Sequence, residues 1–319
     1  MYLIAEIGFN HEGDIELAQK MIQAASDNGA DAVKFQTFQA RDIALPTSAH
    51  YDLIKQGELT ENQHTILFET AMKSGVDFLS TPFSDSGVKL LDKIGVSAFK
   101  VASMDCTNKP LLKQIARTGK PVYISTGMAE LYEIAQTLHF LETSNCSEVT
   151  LLHCISHYPA KAEELNLSII PYLESIFNVP IGYSDHFPGV YACIAAAMQG
   201  AAVIETHFTM DKTLPGGDHG HSADPRDLKH LKNTLELFRT MAGSKDKIFN
   251  RPDRPLTKDF RRGVYAAEHL TAGSRIEKTQ LFCTRPESDF NPDDMEYLEG
   301  RILTKNIPVN QPVTRDALE

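Results

Sequence analysis

Short apolar segments alternate with amphipathic segments along most of the chain. Eight apolar segments, rich in β-branched residues, predict buried strands at residues 3–7, 32–36, 77–82, 98–103, 121–126, 149–154, 180–185 and 202–208. The segments between them place apolar residues at helical spacing, for example at residues 15–28, 61–74, 85–94, 130–143 and 227–242. Near-continuous apolar strands separated by helices are typical of a parallel sheet covered on both faces. Eight such units predict an α/β protein with a (β/α)₈ TIM barrel, and an open, doubly wound sheet is the alternative.

Polar side chains stand at the end of each predicted strand. They are Glu6, Lys34, Gln36, Thr81, Lys100, Ser103, Ser125, His153, Ser184, His186, Glu205 and His207. Polar residues also end strands simply because the following loops contact water. In a barrel, however, the carboxyl ends of all strands meet at one rim, and that rim holds the active site. The pattern therefore predicts a polar site at the carboxyl rim.

Two of these strand ends carry histidines that are separated by about one crossover helix. His186 ends the segment G-Y-S-D-H, and His207 ends the segment A-V-I-E-T-H. If both segments are parallel strands, the two imidazoles emerge at the same edge of the sheet. Neutral imidazole is a common metal ligand, so the pair suggests a metal site. The alternative is that both histidines are structural and bonded to the backbone.

The sequence changes character after residue 244. Residues 1–244 contain the barrel pattern, residues 245–260 are polar and aperiodic and predict a linker, and residues 261–319 form a small C-terminal domain. That domain contains a repeat, in which residues 267–281 match residues 304–318 in length and apolar placement. Gly273 and Asn310 occupy the same step of the repeat, and both residue types tolerate positive φ. We therefore expect a β-rich, pseudo-symmetric domain.

Composition excludes some functions. The net charge is −11 at pH 7, and no block of basic residues is present, so nucleic acid and anionic membranes are not expected as partners. Five scattered cysteines without C-x-x-C spacing are typical of a reducing compartment. No apolar stretch approaches a membrane-spanning length, and Met1 leads directly into a strand-like segment. We expect a cytoplasmic protein.

Eight short motifs resemble the sialic acid synthase family, and they occur in order along the predicted barrel. They are A-E-I-G-F-N-H-E-G (5–13), V-K-F-Q-T (33–37), S-T-P-F (80–83), F-K-V-A-S (99–103), S-T-G-M (125–128), L-L-H-C (151–154), G-Y-S-D-H (182–186) and H-F-T-M-D-K (207–212). The tail resembles the antifreeze-like (SAF, β-clip) domain of that family. The resemblance implies condensation of phosphoenolpyruvate with an N-acetylated amino sugar and water, which gives a nonulosonic acid and phosphate.

The resemblance also implies roles for individual residues. His186 and His207 match the family's metal ligands, and the expected ion is Mn²⁺, with Mg²⁺ or another divalent cation as alternatives. Glu6 matches an acidic residue beside the reacting carbons, so the implied catalytic set is Glu6, His186 and His207. The implied phosphoenolpyruvate site consists of Lys34, Thr81, Lys100, Ser103, Ser125 and Ser184. The alternative is that Lys34 and Lys100 only form buried salt bridges.

The implied sugar site consists of Gln36, Tyr158, Asp218 and Arg285. Arg285 lies in the C-terminal domain and is expected to reach the site of a partner subunit in a domain-swapped homodimer. Asn10, His11 and Glu12 also match the family, without an assigned role. This sequence departs from the family at Met104 with Asp105, at Ser156 with His157, and at the extra histidines His219 and His221, of which either could contact substrate or only decorate a loop.

The acceptor sugar stays open at this point. N-acetylmannosamine and the di-N-acetylated 6-deoxyhexose precursors of legionaminic or pseudaminic acid are all compatible with the motifs. A phosphorylated sugar is disfavoured because no basic cluster is available for a second phosphate. Two other functions are alternatives to the synthase. One is a Schiff-base aldolase that uses Lys34 or Lys100, and the other is a carbohydrate-binding protein without activity. The intact set of site residues argues against the latter.

Overall fold

The computed structural model describes residues 1–146, 148–216, 218–243 and 252–319. It divides into two compact units, Met1–Gly243 and Ser244–Glu319. Among the described residues, no helix is both long and apolar enough to cross a membrane.

The first unit is built around eight parallel strands. They are β1 (Tyr2–Glu6), β2 (Ala32–Thr37), β3 (Asp77–Pro82), β4 (Phe99–Val101), β5 (Val122–Ser125), β6 (Val149–Cys154), β7 (Ile181–Asp185) and β8 (Val203–His207). Their order in the sheet is β3-β2-β1-β8-β7-β6-β5-β4. The first and last strands pair in parallel, with Glu6 opposite His207. This pairing makes a nearly closed TIM-like barrel, which confirms the predicted fold and excludes the open sheet.

Ten helices of the first unit connect or follow these strands. They are α1 (Ile15–Asp27), α2 (Ala40–Ile43), α3 (Tyr51–Gln56), α4 (Glu61–Ser74), α5 (Asp85–Ile94), α6 (Lys109–Ala116), α7 (Leu131–Thr143), α8 (Ile169–Phe177), α9 (Tyr191–Met198) and α10 (Pro225–Ala242). Side chains cap several of them, as when Asp14 accepts from the first backbone N–H groups of α1. Helix α1 buries Ala18, Met21, Ile22 and Ala25, whose spacing forms one apolar face against the barrel.

The predicted strands agree with the structure except at their ends. Residues 98–103 were predicted as one strand, but β4 stops at Val101. The backbone turns there because Ser103–Asp105 forms a 3₁₀ turn, in which the Asp105 N–H donates to the Ala102 carbonyl at 2.9 Å. Helices α2 and α3 were not predicted because each is too short to show a helical period.

The second unit contains the antiparallel pair β9 (Gly263–Ala266) and β10 (Leu281–Thr284), with α11 (Thr257–Phe260) before it and α12 (Met295–Leu298) after it. The predicted repeat is confirmed by its hydrogen bonds. Leu270 and Ile307, which are equivalent in the two halves, exchange both backbone bonds at 2.9 Å. Gly273 and Asn310 have φ values of 83° and 65°, so both halves make the same left-handed turn.

The predicted linker, residues 245–260, is only partly covered. Residues 245–251 lie outside the described residues. Its later part is not aperiodic, because it contains a 3₁₀ turn at Arg254–Leu256 that runs into α11.

Candidate active site and metal centre

A cavity of about 490 Å³ lies at the carboxyl ends of the barrel strands. Twelve predicted site residues line it: Glu6, Lys34, Gln36, Thr81, Lys100, Ser103, Ser125, Tyr158, Ser184, His186, His207 and Asp218. Arg285 belongs to the second unit, where its guanidinium lies 5.0 Å from the centre of the Phe260 ring. The barrel therefore gathers its share of the predicted residues in one volume, while their individual roles remain predictions.

Two lysines and two carboxylates are buried together in the floor of this cavity. The Lys34 ammonium lies 2.7 Å from Glu6 Oε2 and 3.7 Å from Glu205 Oε1. The Lys100 ammonium lies 3.9 Å from the same Glu205 oxygen. All four residues are at most 4% exposed. Because each charge has an opposite partner, the site can keep two ammonium groups out of water.

Burial and pairing shift the pKa values of these groups. Burial lowers the pKa of Lys100, since the attraction of Glu205 does not outweigh the loss of hydration. Burial also acts to lower the pKa of Lys34, but the carboxylates of Glu205 and Glu6 outweigh it and raise that pKa. The pKa of Glu6 is raised to about 7, because burial and the repulsion of Glu205 exceed the attraction of Lys34. Glu6 therefore titrates close to neutral pH, as a general acid or base must.

Hydroxyl groups surround the two lysines. Lys34 donates to Thr81 Oγ1 at 3.3 Å, and Lys100 donates to Ser125 Oγ at 2.6 Å. Ser184 donates to Glu205 Oε1 at 2.9 Å. These short polar groups and ammonium donors converge on one side of the cavity, which makes that side suited to a multiply charged anion.

The wall beside Lys100 depends on a glycine. A Cβ atom at Gly127 would lie 2.4 Å from Ser156 Oγ and 2.8 Å from Ser103 Oγ, which is closer than atoms can approach. The Gly127 N–H donates to Ser103 Oγ at 3.1 Å. Glycine is therefore needed for Ser103 and Ser156 to face the cavity side by side.

His186 is held with one ring nitrogen free. Its Nδ1 lies 2.6 Å from the Ile155 carbonyl oxygen, so Nδ1 carries the proton and Nε2 keeps a lone pair. Burial lowers the pKa of His186 to about 4, so the ring is neutral at pH 7. The ring of Tyr158 packs against it with centroids 4.0 Å apart. A neutral imidazole with a fixed tautomer is prepared for metal binding.

Three further groups lie beside His186. His207, Asp218 and His221 each offer a ligand atom, and these atoms lie within 4.8 Å of one another. His207 Nδ1 is 3.4 Å from Asp218 Oδ2, and the His186 and His207 ring centroids are 5.3 Å apart. Among the described residues, His207 Nδ1 and His221 Nε2 are buried without a hydrogen-bond partner. Buried nitrogen atoms left open beside a carboxylate are what a divalent cation requires, so these residues fit a metal ion.

Asn10 fixes the loop that carries Asp218. Its side-chain amide donates to the Phe208 carbonyl and to Ser222 Oγ, both at 2.9 Å, and its oxygen accepts from the Asp218 N–H at 3.1 Å. Asn10 is 1% exposed. It therefore ties the loop after β1 to the loop after β8 and sets the position of the Asp218 carboxylate.

Three of the four predicted sugar residues, Gln36, Tyr158 and Asp218, line the cavity. Gln36 donates to Glu6 Oε1 at 3.3 Å, and Tyr158 is 52% exposed. Of the two departures near Ser103, Met104 lines the cavity, while Asp105 is buried and accepts from Asn108 Nδ2 at 2.7 Å. Of these two residues, Met104 is therefore the one that contacts the cavity.

Other histidines have structural contacts. His153 Nε2 lies 2.7 Å from the Leu165 carbonyl oxygen, behind the cavity wall. His219 Nδ1 lies 2.7 Å from Thr209 Oγ1, and its Nε2 is 3.5 Å from Glu12 Oε1. His11 Nδ1 accepts from the Gly13 N–H at 3.0 Å. Of the two extra histidines in the sequence, only His221 joins the imidazole cluster.

Glu205 stands among the polar residues at the strand ends, but the family resemblance implies no role for it. The structure makes Glu205 the carboxylate shared by both lysines. The available signal was its spacing, because residues two apart on a strand face the same side, and His207 is two positions further on.

Comparisons with known proteins identify the family of this chain. Residues 21–247 match the NeuB family, and residues 261–319 match the SAF domain. The N,N'-diacetyllegionaminic acid synthase of Legionella pneumophila is 35% identical over 336 residues, which cover 100% of this chain and 94% of that protein. An uncharacterized protein of Methanocaldococcus jannaschii is 42% identical over 285 residues, 89% of this chain and 85% of that protein. The crystal structure of a sialic acid synthetase from Leptospira borgpetersenii superposes with a TM-score of 0.77 at 35% identity, covering 80% of this chain and 89% of that one.

Proposed function

This chain belongs to the NeuB family, and from that premise we propose that it is a phosphoenolpyruvate-dependent nonulosonic acid synthase. The reaction joins phosphoenolpyruvate, an N-acetylated amino sugar and water to give a nonulosonic acid and phosphate. The observation that carries the proposal is the pairing of two buried ammonium groups with neutral imidazoles in a single cavity. The half of the cavity with the lysines suits an enol phosphate, and the half with the imidazoles suits activation of a carbonyl oxygen.

The lysine half supports phosphoenolpyruvate binding. The whole protein carries a net charge of −11, so a trianionic substrate must be held by local cations. Lys34 and Lys100 supply these cations, and the hydroxyls of Thr81, Ser125 and Ser184 supply further donors. Substrate anions can take over part of the pairing that Glu6 and Glu205 give to the lysines.

The imidazole half supports activation of the acceptor. A divalent cation held by His186 and His207, with Mn²⁺ or Mg²⁺ as the expected ions, would supply Lewis-acid polarisation of the sugar's aldehyde oxygen. His186 is oriented for this by the Ile155 carbonyl, and His207 lies beside the carboxylate of Asp218. Tyr158 covers the His186 ring and limits the access of water to it.

The bond changes follow from this arrangement. The methylene carbon of phosphoenolpyruvate attacks the aldehyde carbon, and its former double-bond partner becomes an oxocarbenium carbon. Water adds to that carbon, and the C–O bond to the phosphate then breaks, which releases phosphate and leaves the keto acid. The aldehyde oxygen becomes an alkoxide. Glu6, whose pKa is raised to about 7, would accept one proton of the water and pass it to that alkoxide, while the second proton of the water leaves with the phosphate.

The test is a panel of acceptor sugars with phosphoenolpyruvate and Mn²⁺, assayed for phosphate and keto acid together. N-acetylmannosamine and a di-N-acetylated 6-deoxyhexose are the two acceptors that the proposal favours. With ¹⁸O in the bridging oxygen of phosphoenolpyruvate, we expect the label in the phosphate because the C–O bond breaks. Failure of every N-acetylated sugar, or label in the keto acid, would contradict the proposal.

One observation favours a second candidate, a Schiff-base aldolase. The lowered pKa of Lys100 would make its amine more available as a nucleophile. The Glu205 carboxylate, however, lies 3.9 Å from the Lys100 nitrogen and favours the ammonium form, which is not nucleophilic. We expect no adduct when the protein is treated with pyruvate and borohydride, and a trapped Lys100 adduct in the mass spectrum would establish the aldolase instead.

The proposal extends to a homodimer in which Arg285 completes the sugar site of the partner subunit. Its support is the family resemblance of the C-terminal domain, which matches the SAF domain. Coexpression of Arg285→Ala and His186→Ala chains tests it, since a mixed dimer contains one intact site and should regain activity. Inactivity of the mixture, with both chains folded and dimeric, would place Arg285 elsewhere. A cytoplasmic location, with each cysteine a free thiol, is part of the same proposal.

A further inference from the structure

We propose that His221 is a third imidazole ligand of the divalent cation, so that the ion is held by His186, His207, His221 and the carboxylate of Asp218. The inference rests on the proposed function only in expecting an ion at His186 and His207. It adds a ligand that the resemblance did not assign, in a segment where this sequence departs from the family. Its basis is the position of one side chain.

The rings of His186, His207 and His221 are neighbours. The His207 and His221 ring centroids are 5.0 Å apart, those of His186 and His207 are 5.3 Å apart, and those of His186 and His221 are 6.4 Å apart. Ligand atoms bound at about 2.1 Å to one ion lie about 3 to 4 Å from one another. The ligand atoms of His207, Asp218 and His221 already lie within 4.8 Å of each other. Small side-chain rotations would bring them onto a common ion.

His221 is buried without another partner. Its ring is 8% exposed, and its Nε2 has no hydrogen-bond partner among the described residues, the nearest carboxylate oxygen being Asp218 Oδ1 at 3.9 Å. A buried polar nitrogen left open costs free energy unless something binds it. An ion between His221 and Asp218 would satisfy both groups.

The backbone around His221 is fixed in place. His221 ends the 3₁₀ turn His219–His221, and Ser222 Oγ, one residue later, donates to the Asp218 carbonyl at 2.7 Å. Asn10 donates in turn to Ser222 Oγ at 2.9 Å. The turn therefore presents His221 to the cluster without reorganisation of the loop.

His219, in the same turn, provides the contrast. Its two ring nitrogens face Thr209 and Glu12, away from the cluster. Both histidines are buried, and the Nε2 of each lacks a hydrogen bond among the described residues. They differ because His219 Nδ1 is bonded to Thr209 Oγ1, whereas His221 belongs to the group with His207 and Asp218 whose ligand atoms lie within 4.8 Å of one another. A variant at His219 is therefore a matched control for a variant at His221.

The extra nitrogen ligand has a chemical consequence. Imidazole ligands favour Co²⁺, Ni²⁺ and Zn²⁺ over Mg²⁺ and Mn²⁺, which prefer oxygen ligands. A site with three imidazoles and a carboxylate should therefore bind Co²⁺ more tightly than Mn²⁺. In an octahedral arrangement about two positions stay open, which is enough for a substrate carbonyl oxygen and one water.

The experiment is a titration of the metal-stripped full chain with Co²⁺, followed by visible absorption and by calorimetry. We expect His221→Ala and His221→Phe to weaken Co²⁺ binding by at least about tenfold and to change the visible spectrum, because a ligand is lost. The preference for Co²⁺ over Mn²⁺ should also be smaller in the His221 variants than in wild type. His219→Ala should leave both the affinity and the spectrum close to wild type. Thermal melts identify any variant that has lost its fold. Two His221 variants are used so that the test can still be read if one of them does not fold.

Co²⁺ affinity within about twofold of wild type and an unchanged spectrum in a folded His221 variant would overturn the inference. This result is distinguishable from failure of the proposed function. Phosphate release with an unaffected His221 variant would remove only the third ligand. Loss of Co²⁺ affinity in that variant, with no phosphate release by wild type on any acceptor, would support the ligand and remove the synthase.

Discussion

Replacing Glu205 by glutamine should destabilise the barrel, because it removes the carboxylate that two buried lysines share. Glu205 Oε1 lies 3.7 Å from Lys34 and 3.9 Å from Lys100. Glutamine has nearly the same shape and can still accept the hydrogen bond from Ser184, which is 2.9 Å long. The variant therefore changes the charge of the cluster and little else.

The size of the effect follows from these distances. At an effective dielectric constant of about 20, each pair of charges near 4 Å attracts by about 4 kcal/mol. Part of this attraction is offset because the variant no longer buries a carboxylate. Removing one partner of a buried ion pair typically costs about 3 to 5 kcal/mol. Lys34 keeps Glu6 as a partner, whereas Lys100 is left without a carboxylate within 4 Å among the described ion pairs.

The assay is thermal unfolding followed by calorimetry or circular dichroism, since the chain contains no tryptophan for fluorescence. A loss of 3 to 5 kcal/mol should lower the melting temperature of a unit of this size by about 10 °C. Glu61→Gln is the control, because the Lys93–Glu61 pair has the short N···O distance of 2.6 Å but is exposed. Exposed pairs contribute little, so this variant should melt close to wild type.

Phosphoenolpyruvate provides a second measurement on the same variant. Its charges should replace the lost carboxylate, so saturating phosphoenolpyruvate should raise the melting temperature of Glu205→Gln more than that of wild type. A variant that melts within about 1 °C of wild type would refute the electrostatic reasoning. An equal shift with phosphoenolpyruvate would refute the placement of that substrate on Lys34 and Lys100.

Three further predictions concern the surroundings of the site. Asn10→Ala should weaken Co²⁺ or Mn²⁺ binding by about tenfold, measured by calorimetry, because the loop that carries Asp218 loses its anchor; unchanged affinity would show that Asn10 does not position the carboxylate. Gly127→Ala should raise the KM for phosphoenolpyruvate and cost about 1 to 3 kcal/mol of stability, because the new Cβ would stand 2.4 Å from Ser156 Oγ; wild-type kinetics would contradict this crowding. Asp105→Asn should melt higher than wild type at pH 8, and the difference should shrink as the pH is lowered towards 3.8. Burial raises the pKa of Asp105 above its ordinary value of 3.8, so the stability that its protonated form gives is lost as pH rises through the raised pKa. Equal melting temperatures of wild type and Asp105→Asn at pH 8 would show that other groups stabilise the charged Asp105 carboxylate.

The barrel was predictable because its determinants are local. Each strand is a short apolar run, each helix has an apolar face, and the polar residues at strand ends mark the rim. Gly273 and Asn310 likewise predicted matching turns, because positive φ depends on the residue itself. The end of β4 was not predictable in this way. The apolar run continues past Val101, but Ser103 is needed beside Gly127, and the chain turns to place it there.

The parts of the site that the sequence did not predict depend on contacts between residues that are far apart in the chain. Glu205 resembles other polar residues at strand ends, and only the closing of the barrel brings it between Lys34 and Lys100. His219 and His221 are two histidines in one short segment, and the fold of their 3₁₀ turn puts only His221 of the two beside the rings of His186 and His207. Asn10 bonds to the loop that carries Asp218, which lies about two hundred positions further along the chain. Spacing along the chain shows only that Glu205 and His207 share one face of a strand, and it does not record the partners that the fold brings to them.

The most direct test of the account compares wild type with the His186→Ala/His207→Ala double variant in the phosphate-release assay. With phosphoenolpyruvate, an accepted N-acetylated sugar and Mn²⁺, wild type should release phosphate and keto acid in equal amounts. A chelator should stop the reaction, and added Mn²⁺ should restore it. The double variant, folded by its melting curve, should lose activity by about a thousandfold or more, whatever the metal concentration. Turnover at the wild-type rate in that variant, or turnover that a chelator does not affect, would contradict the account.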